Sequence, residues 1–222
     1  MYHLLSYPIE AHMPAWPDSP QLQLEKKLQI AKGDVANTSI ISLYNHVGTH
    51  YDAPNHIWRR ERPSRSWIWT ASFREAAAAG DPQRGRRKGD GRGSGALCRG
   101  HRPERPVDDL HRFSRLRLEN EALFEQNGPG IGSDCAAWLV EHGTGLRALA
   151  VDFVSLASFS DQEDGNEAHR ILFRGKDGRF ICGIEDVNMA PVVGKTLKRV
   201  FALPLLVRGV DSAPVTMVAE TE

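Results

Sequence analysis

The sequence lacks any run of eighteen uninterrupted apolar residues, so no membrane-crossing helix is expected. Cysteine is scarce. Cys98, Cys135 and Cys182 are odd in number and share no CxxC spacing. This argues against a disulfide framework and makes a reducing, cytoplasmic setting the expectation. The first fifteen residues lack a basic segment followed by an apolar one, and Pro8 and Pro14 interrupt them, so they read as mature protein rather than a signal peptide. Net charge is also absent: 28 basic residues balance 28 acidic ones. What remains, 41% apolar and 8% aromatic residues in a 222-residue chain, suits one soluble globular domain.

The balanced charge hides an asymmetry. Residues 59–117 hold fifteen Arg and one Lys against seven acidic residues, a local charge of +9, and the remainder carries −9. This block shows no sustained period of 2 or 3.6, and it includes Ala76-Ala-Ala-Ala-Gly80 and the Arg/Gly-rich stretch from Arg84 to Gly95. Such composition buries too little apolar surface to offset its ordering entropy. Three readings are open: a solvated insertion, an arginine-rich nucleic-acid arm, or a segment translated out of frame. Its Arg/Gly-rich stretch lacks the interleaved aromatics that stack on bases, so no nucleic-acid partner is expected.

The flanks read as α/β. Thr38–Tyr44 predicts a mostly buried strand. Ser133–Glu141 predicts a helix with Ser133 as N-cap and Gly143 or Gly145 as C-cap. The buried strand Leu146–Val154 follows it, then strands at Phe180–Ile184, Val200–Val207 and Val215–Ala219, the last preceded by the turn Asp211-Ser-Ala-Pro214.

The chemistry concentrates in Asn45-His-Val-Gly-Thr-His-Tyr-Asp-Ala-Pro-Asn-His56. His46, His50, Asp52 and His56 are all even-numbered, and in extended chain they would share one face. A straight strand would nonetheless hold His46 and His50 about 13 Å apart, too far for one ion. Gly48 permits the bend that brings them together, and Pro54 stops the strand from continuing. Two imidazoles and a carboxylate suit zinc or another first-row divalent ion better than magnesium or calcium, and three protein ligands leave a position open for water. His169, on a short predicted helix with Asn166 as a possible N-cap, and Glu185, ending a strand, read in isolation as ordinary surface residues.

The string His46-Val-Gly-Thr-His-Tyr-Asp-Ala-Pro-Asn-His56 resembles the HxGTHxDxPxH signature of the cyclase family, which includes bacterial kynurenine formamidases and isatin hydrolases. Leu5-Ser-Tyr-Pro-Ile9, Val151-Asp-Phe-Val-Ser155, His169-Arg-Ile-Leu172, Ile184-Glu-Asp-Val-Asn188 and Asp211-Ser-Ala-Pro214 extend the likeness, which covers about 1–58 and 119–222. The resemblance implies a single domain: a compact α/β fold with a mixed, barrel-like sheet and flanking helices. It implies metal ligation by His46, His50 and Asp52, completed by His169 and Glu185, with His56 as the proton-transfer residue. One or two divalent ions, zinc first and manganese second, and a homo-oligomer (dimer or tetramer) follow from it. So does hydrolysis of an amide C–N bond in a small aromatic substrate, N-formylkynurenine first, with a cyclic amide such as isatin, an ester or a lactone as the alternative. Trp16 is a candidate for an aromatic substrate pocket. Against that likeness the block at 59–117, normal in length and foreign in composition, reads as out of frame, and a non-catalytic or inactive product is the competing expectation.

Overall fold

The computed structural model describes residues 1–58 and 110–222, the side chains of 110–114 excepted. Of the anomalous block expected at 59–117, residues 59–109 lie outside the described residues.

The architecture is a mixed α/β fold with a six-stranded sheet curled into a half-barrel. Its longest strand is the last, β8 (Ser212–Thr221), where alternating burial marks one face against the core. β8 pairs antiparallel with β7 (Leu197–Pro204), with β1 (Tyr2–Leu4) through Val218–Glu220, and with β4 (His50–Asp52) through Ser212–Pro214. β4 pairs antiparallel with β6 (Cys182–Glu185), and β6 pairs in parallel with β5 (Ala148–Ala150). Two strands stand apart as a ribbon, β2 (Gln23–Leu28) and β3 (Thr38–Ser42).

Helices α1 (Leu110–Glu119), α2 (Glu121–Gln126), α3 (Ser133–His142) and α4 (Gln162–Arg174) flank the sheet. α3 packs against α4, and their inward residues Ala136, Leu139, Ala168, Leu172 and Phe173 share a core with Phe124, Phe153 and Leu156. A second core of Leu5, Tyr51, Ile184, Val187, Val215 and Met217 lies against the sheet. Among the described residues no helix is long and apolar enough to cross a membrane.

Several local expectations are corrected. The strand beginning at Thr38 forms, but each of its residues is exposed because among the described residues β2 is its one strand neighbour and no layer covers it. The strand expected over Leu146–Val154 is cut to Ala148–Ala150. Val151, Phe153 and Val154 are buried in an irregular segment that stays tied to the end of β6, through Val151 N to Ile184 O at 2.9 Å and Asp186 N to Phe153 O at 3.0 Å. Ser133 is the first residue of α3 rather than its cap, a place held by Gly132, while Gly143 closes the helix through its N–H to Leu139 O at 2.8 Å. α4 is longer than expected, capped by Asp161 rather than Asn166. Cys182 is a free, buried thiol.

The edge of the anomalous block is also redrawn. α1 begins inside it, Leu116 packs against the helical core, and Arg117 is buried. The change of composition at residue 117 therefore does not coincide with a boundary of the fold.

Candidate metal centre

His50 and Asp52 lie two apart on β4 and face the same way, both buried. The register of β4 with β6 puts Glu185 directly opposite His50, so a third donor enters from the neighbouring strand. His46 precedes the strand, and Gly48, at φ +60°, turns the chain between the two histidines, the conformation that glycine supplies without steric cost. His56 ends the 3-10 turn Pro54–His56 just beyond β4.

His169 comes from the middle of α4, with Nδ1 2.9 Å from Gly165 O. Past that helix, Gly175 (φ +64°) ends it, and Asp177 and Gly178, both at positive φ, form a tight turn in which Lys176 and Arg179 exchange backbone bonds at 2.9 Å. The long interval between His169 and Glu185 is taken up there. The chain then returns to β6 and sets Glu185 Oε1 3.4 Å from His169 Nε2.

These side chains converge as two trios, His50–Asp52–Glu185 and His46–Asp52–His56, that share Asp52. His46 Nδ1 is 3.1 Å and His50 Nε2 3.5 Å from Asp52 Oδ1, and His50 Nε2 is 3.2 Å from Glu185 Oε2. Ligand atoms about 2.1 Å from one tetrahedral ion stand roughly 3.4 Å apart, and these separations are close to that spacing. Two further observations fit an ion. His50 Nε2 and Asp52 Oδ1 are buried without a hydrogen-bond partner among the described residues, a costly state for polar atoms unless a cation satisfies them. His50 and His169 each place Nδ1 at a backbone carbonyl, Gly48 O at 2.8 Å and Gly165 O at 2.9 Å. Each Nδ1 donates there, leaving the Nε2 lone pair toward the carboxylates. The nitrogen and carboxylate donor set suits a first-row divalent ion.

The electrostatics agree. Burial pushes the His46 and His50 imidazoles down, but the adjoining carboxylates outweigh it. His46, beside Asp211 and Asp52, rises to about 10, and His50, beside Asp52 and Glu185, to about 9. Glu185 would be raised by burial, yet His169 and His50 hold it well below the usual carboxylate range. The cluster therefore demands positive charge, which protons supply when no ion does. Glu185 is further fixed by Leu156 N at 2.6 Å and Ser155 Oγ at 3.0 Å, which donate to Oε1 from the irregular segment after β5.

One member was missed in the sequence. Asp211 Oδ2 lies 3.0 Å from His46 Nε2 and 3.1 Å from His56 Nδ1, and the prior signals were its place in a turn and in a segment that extends the family likeness. Trp16 packs edge-on against Phe159, ring centroids 5.3 Å apart, at the border of the helical core.

Comparison with known proteins bears on the motif-bearing segment and on the fold. Residues 4–79 match the sequence profile of the cyclase family, described as "Putative cyclase", and the match runs past Trp58 into the anomalous block. The chain thus matches the cyclase family model over its motif-bearing segment and is similar in fold to solved structures described as metal-dependent hydrolases. It is 28% identical over 216 residues to Cyclase-like protein 1 of Arabidopsis thaliana, covering 95% of this chain and 81% of that protein. A predicted metal-dependent hydrolase from Bacillus stearothermophilus superposes with a TM-score of 0.60 at 20% identity, covering 99% and 97% of the two chains. Isatin hydrolase A from Ralstonia solanacearum superposes at 0.64 with 15% identity, covering 99% and 91%.

Proposed function

We propose that this chain is a single-domain, metal-dependent hydrolase that cleaves an amide C–N bond in a small aromatic substrate, in the manner of an arylformamidase acting on N-formylkynurenine to give kynurenine and formate. The observation that carries this reading is the pair of donor trios joined through Asp52, with the half-exposed His56 at their edge. His46, His50, Asp52, His169 and Glu185 hold the ion or ions, zinc first and manganese second. A divalent ion there supplies polarisation of the substrate carbonyl and a nucleophile from water near neutral pH. His56, its Nδ1 engaged by Asp211, takes a proton at Nε2 from the attacking water and returns it to the leaving nitrogen. Trp16, beside Phe159, offers an aromatic face to the substrate. The chain acts as a cytoplasmic homo-oligomer.

The isatin hydrolase likeness of the fold supports a second substrate, a cyclic amide opened by the same residues. Purified protein is assayed against N-formylkynurenine, isatin and an aryl lactone, with metal content measured alongside. The proposal expects one of the amides to be hydrolysed, with activity lost on chelation and in His50→Ala. Full activity of either the stripped protein or His50→Ala would overturn it.

A further inference from the structure

Asp211 precedes β8, and its position is fixed from both sides of the histidine motif. Ala53 N donates to Asp211 O at 3.0 Å, and Asn45 Nδ2 donates to Asp211 Oδ1 at 2.9 Å. Ser212 Oγ donates to Asn45 O at 3.1 Å, which ties the same two segments together again. The carboxylate is thereby oriented so that Oδ2 receives two imidazole nitrogens, Nε2 of His46 and Nδ1 of His56.

An ionised carboxylate only accepts hydrogen bonds, so each ring nitrogen that faces it carries hydrogen. In a neutral imidazole the other nitrogen is then a lone pair. For His46 that lone pair is on Nδ1, 3.1 Å from Asp52 Oδ1; two acceptors at that distance repel unless a proton or a metal cation lies between them. For His56 it is on Nε2. His50 and His169 are set the opposite way, since their Nδ1 atoms meet backbone carbonyls and their Nε2 atoms face the carboxylates. His46 therefore differs from His50 and His169, and Asp211 is the group that makes it differ.

We infer that Asp211 is a positioning residue that fixes opposite tautomers in two histidines, turning the Nδ1 lone pair of His46 toward Asp52 and leaving Nε2 of His56 as the open basic atom. The part concerning His56 rests on the proton-transfer role proposed above; the tautomers themselves do not. Loss of the carboxylate leaves both rings free to invert, and inversion of His56 places a hydrogen where the base must accept one.

The test is long-range proton–nitrogen NMR of protein labelled with 15N-histidine and loaded with zinc(II), above the titration of the histidines. The expected spectrum shows His56 as the Nδ1–H form and His46 as the Nε2–H form with a zinc-shifted Nδ1. In Asp211→Asn, the amide oxygen keeps the bond from Asn45 and the NH2 group turns toward the rings. His56 should then convert to the Nε2–H form, zinc affinity should fall about 10- to 100-fold, and kcat should fall with little change in KM. A wild-type His56 in the Nε2–H form, or an Asp211→Asn spectrum unchanged from wild type, would overturn the inference. Should Asp211→Asn not fold, the wild-type spectrum decides alone. Because tautomers are read without turnover, a chain that hydrolyses none of the substrates fails the proposed function and still decides this inference.

Discussion

Arg117 grips Asp186 through two parallel hydrogen bonds, Nε to Oδ1 at 2.7 Å and Nη2 to Oδ2 at 2.8 Å, with the guanidinium 3.8 Å above the Tyr7 ring. Both partners are buried, and Asp186 holds a positive φ of 50°. Its carbonyl accepts Thr49 Oγ1 at 2.7 Å, and Thr49 Oγ1 accepts Tyr7 N at 3.0 Å. Thr49 and Asp186 are the chain neighbours of His50 and Glu185, so this network holds the backbone of two proposed ligands.

Breaking the pair from one side strands a buried charge. Arg117→Met is expected to destabilise the fold by about 3–5 kcal/mol, seen as a lower urea midpoint with little change in slope. Arg117→Met/Asp186→Asn should recover part of the loss, since the lone carboxylate is gone and Asn tolerates positive φ. A midpoint unchanged in Arg117→Met would show that the pair does not anchor the site.

The pH dependence of the metal-free chain has a definite sign. His46 and His50 rise from an ordinary 6.5 to about 10 and about 9 in the folded state. The folded chain thus binds protons that the unfolded chain has released, and the stability this contributes is complete below about pH 6.5. It is lost progressively as pH rises through 9 and 10. Chelator-treated protein should therefore melt at lower temperature as pH is raised across that window. With zinc bound the ion takes the place of the protons, and stabilisation by the ion should strengthen with pH instead. A chelated protein whose melting point climbs from pH 7 to 9.5 would refute the electrostatic account.

Gly165 ties α4 to the irregular segment that cradles Glu185. A Cβ there would stand 2.6 Å from Ala157 Cβ and 2.7 Å from Ala157 Cα, and the carbonyl of Gly165 anchors the His169 ring. Gly165→Ala should push the helix off that segment, cost about 1–3 kcal/mol by overpacking, and lower bound metal per chain by loosening His169. Metal analysis together with thermal melting checks this, and a variant as stable and as fully loaded as wild type would show that the contact yields freely.

The sequence by itself determined the local half of the candidate centre. Within one short motif, side-chain alternation puts His50 and Asp52 on one face, and a glycine free of Cβ sterics turns the chain back to His46. It also determined which segments enter the sheet, since apolar, β-branched runs mark β6, β7 and β8 to within a few residues. His169 and Glu185 carried no local signal of their own, and only likeness to a family singled them out.

Tertiary structure decided what depends on pairings distant along the chain. The register of β4 against β6 sets Glu185 opposite His50, and the register against β8 carries Asp211 to His46 and His56. No periodicity in one segment encodes its offset from another. Burial was likewise decided globally, because a strand is buried only if another layer covers it: β3, apolar as it is, lies exposed, while Arg117, at the end of a block of arginines, is buried because Asp186 and Tyr7 meet it there.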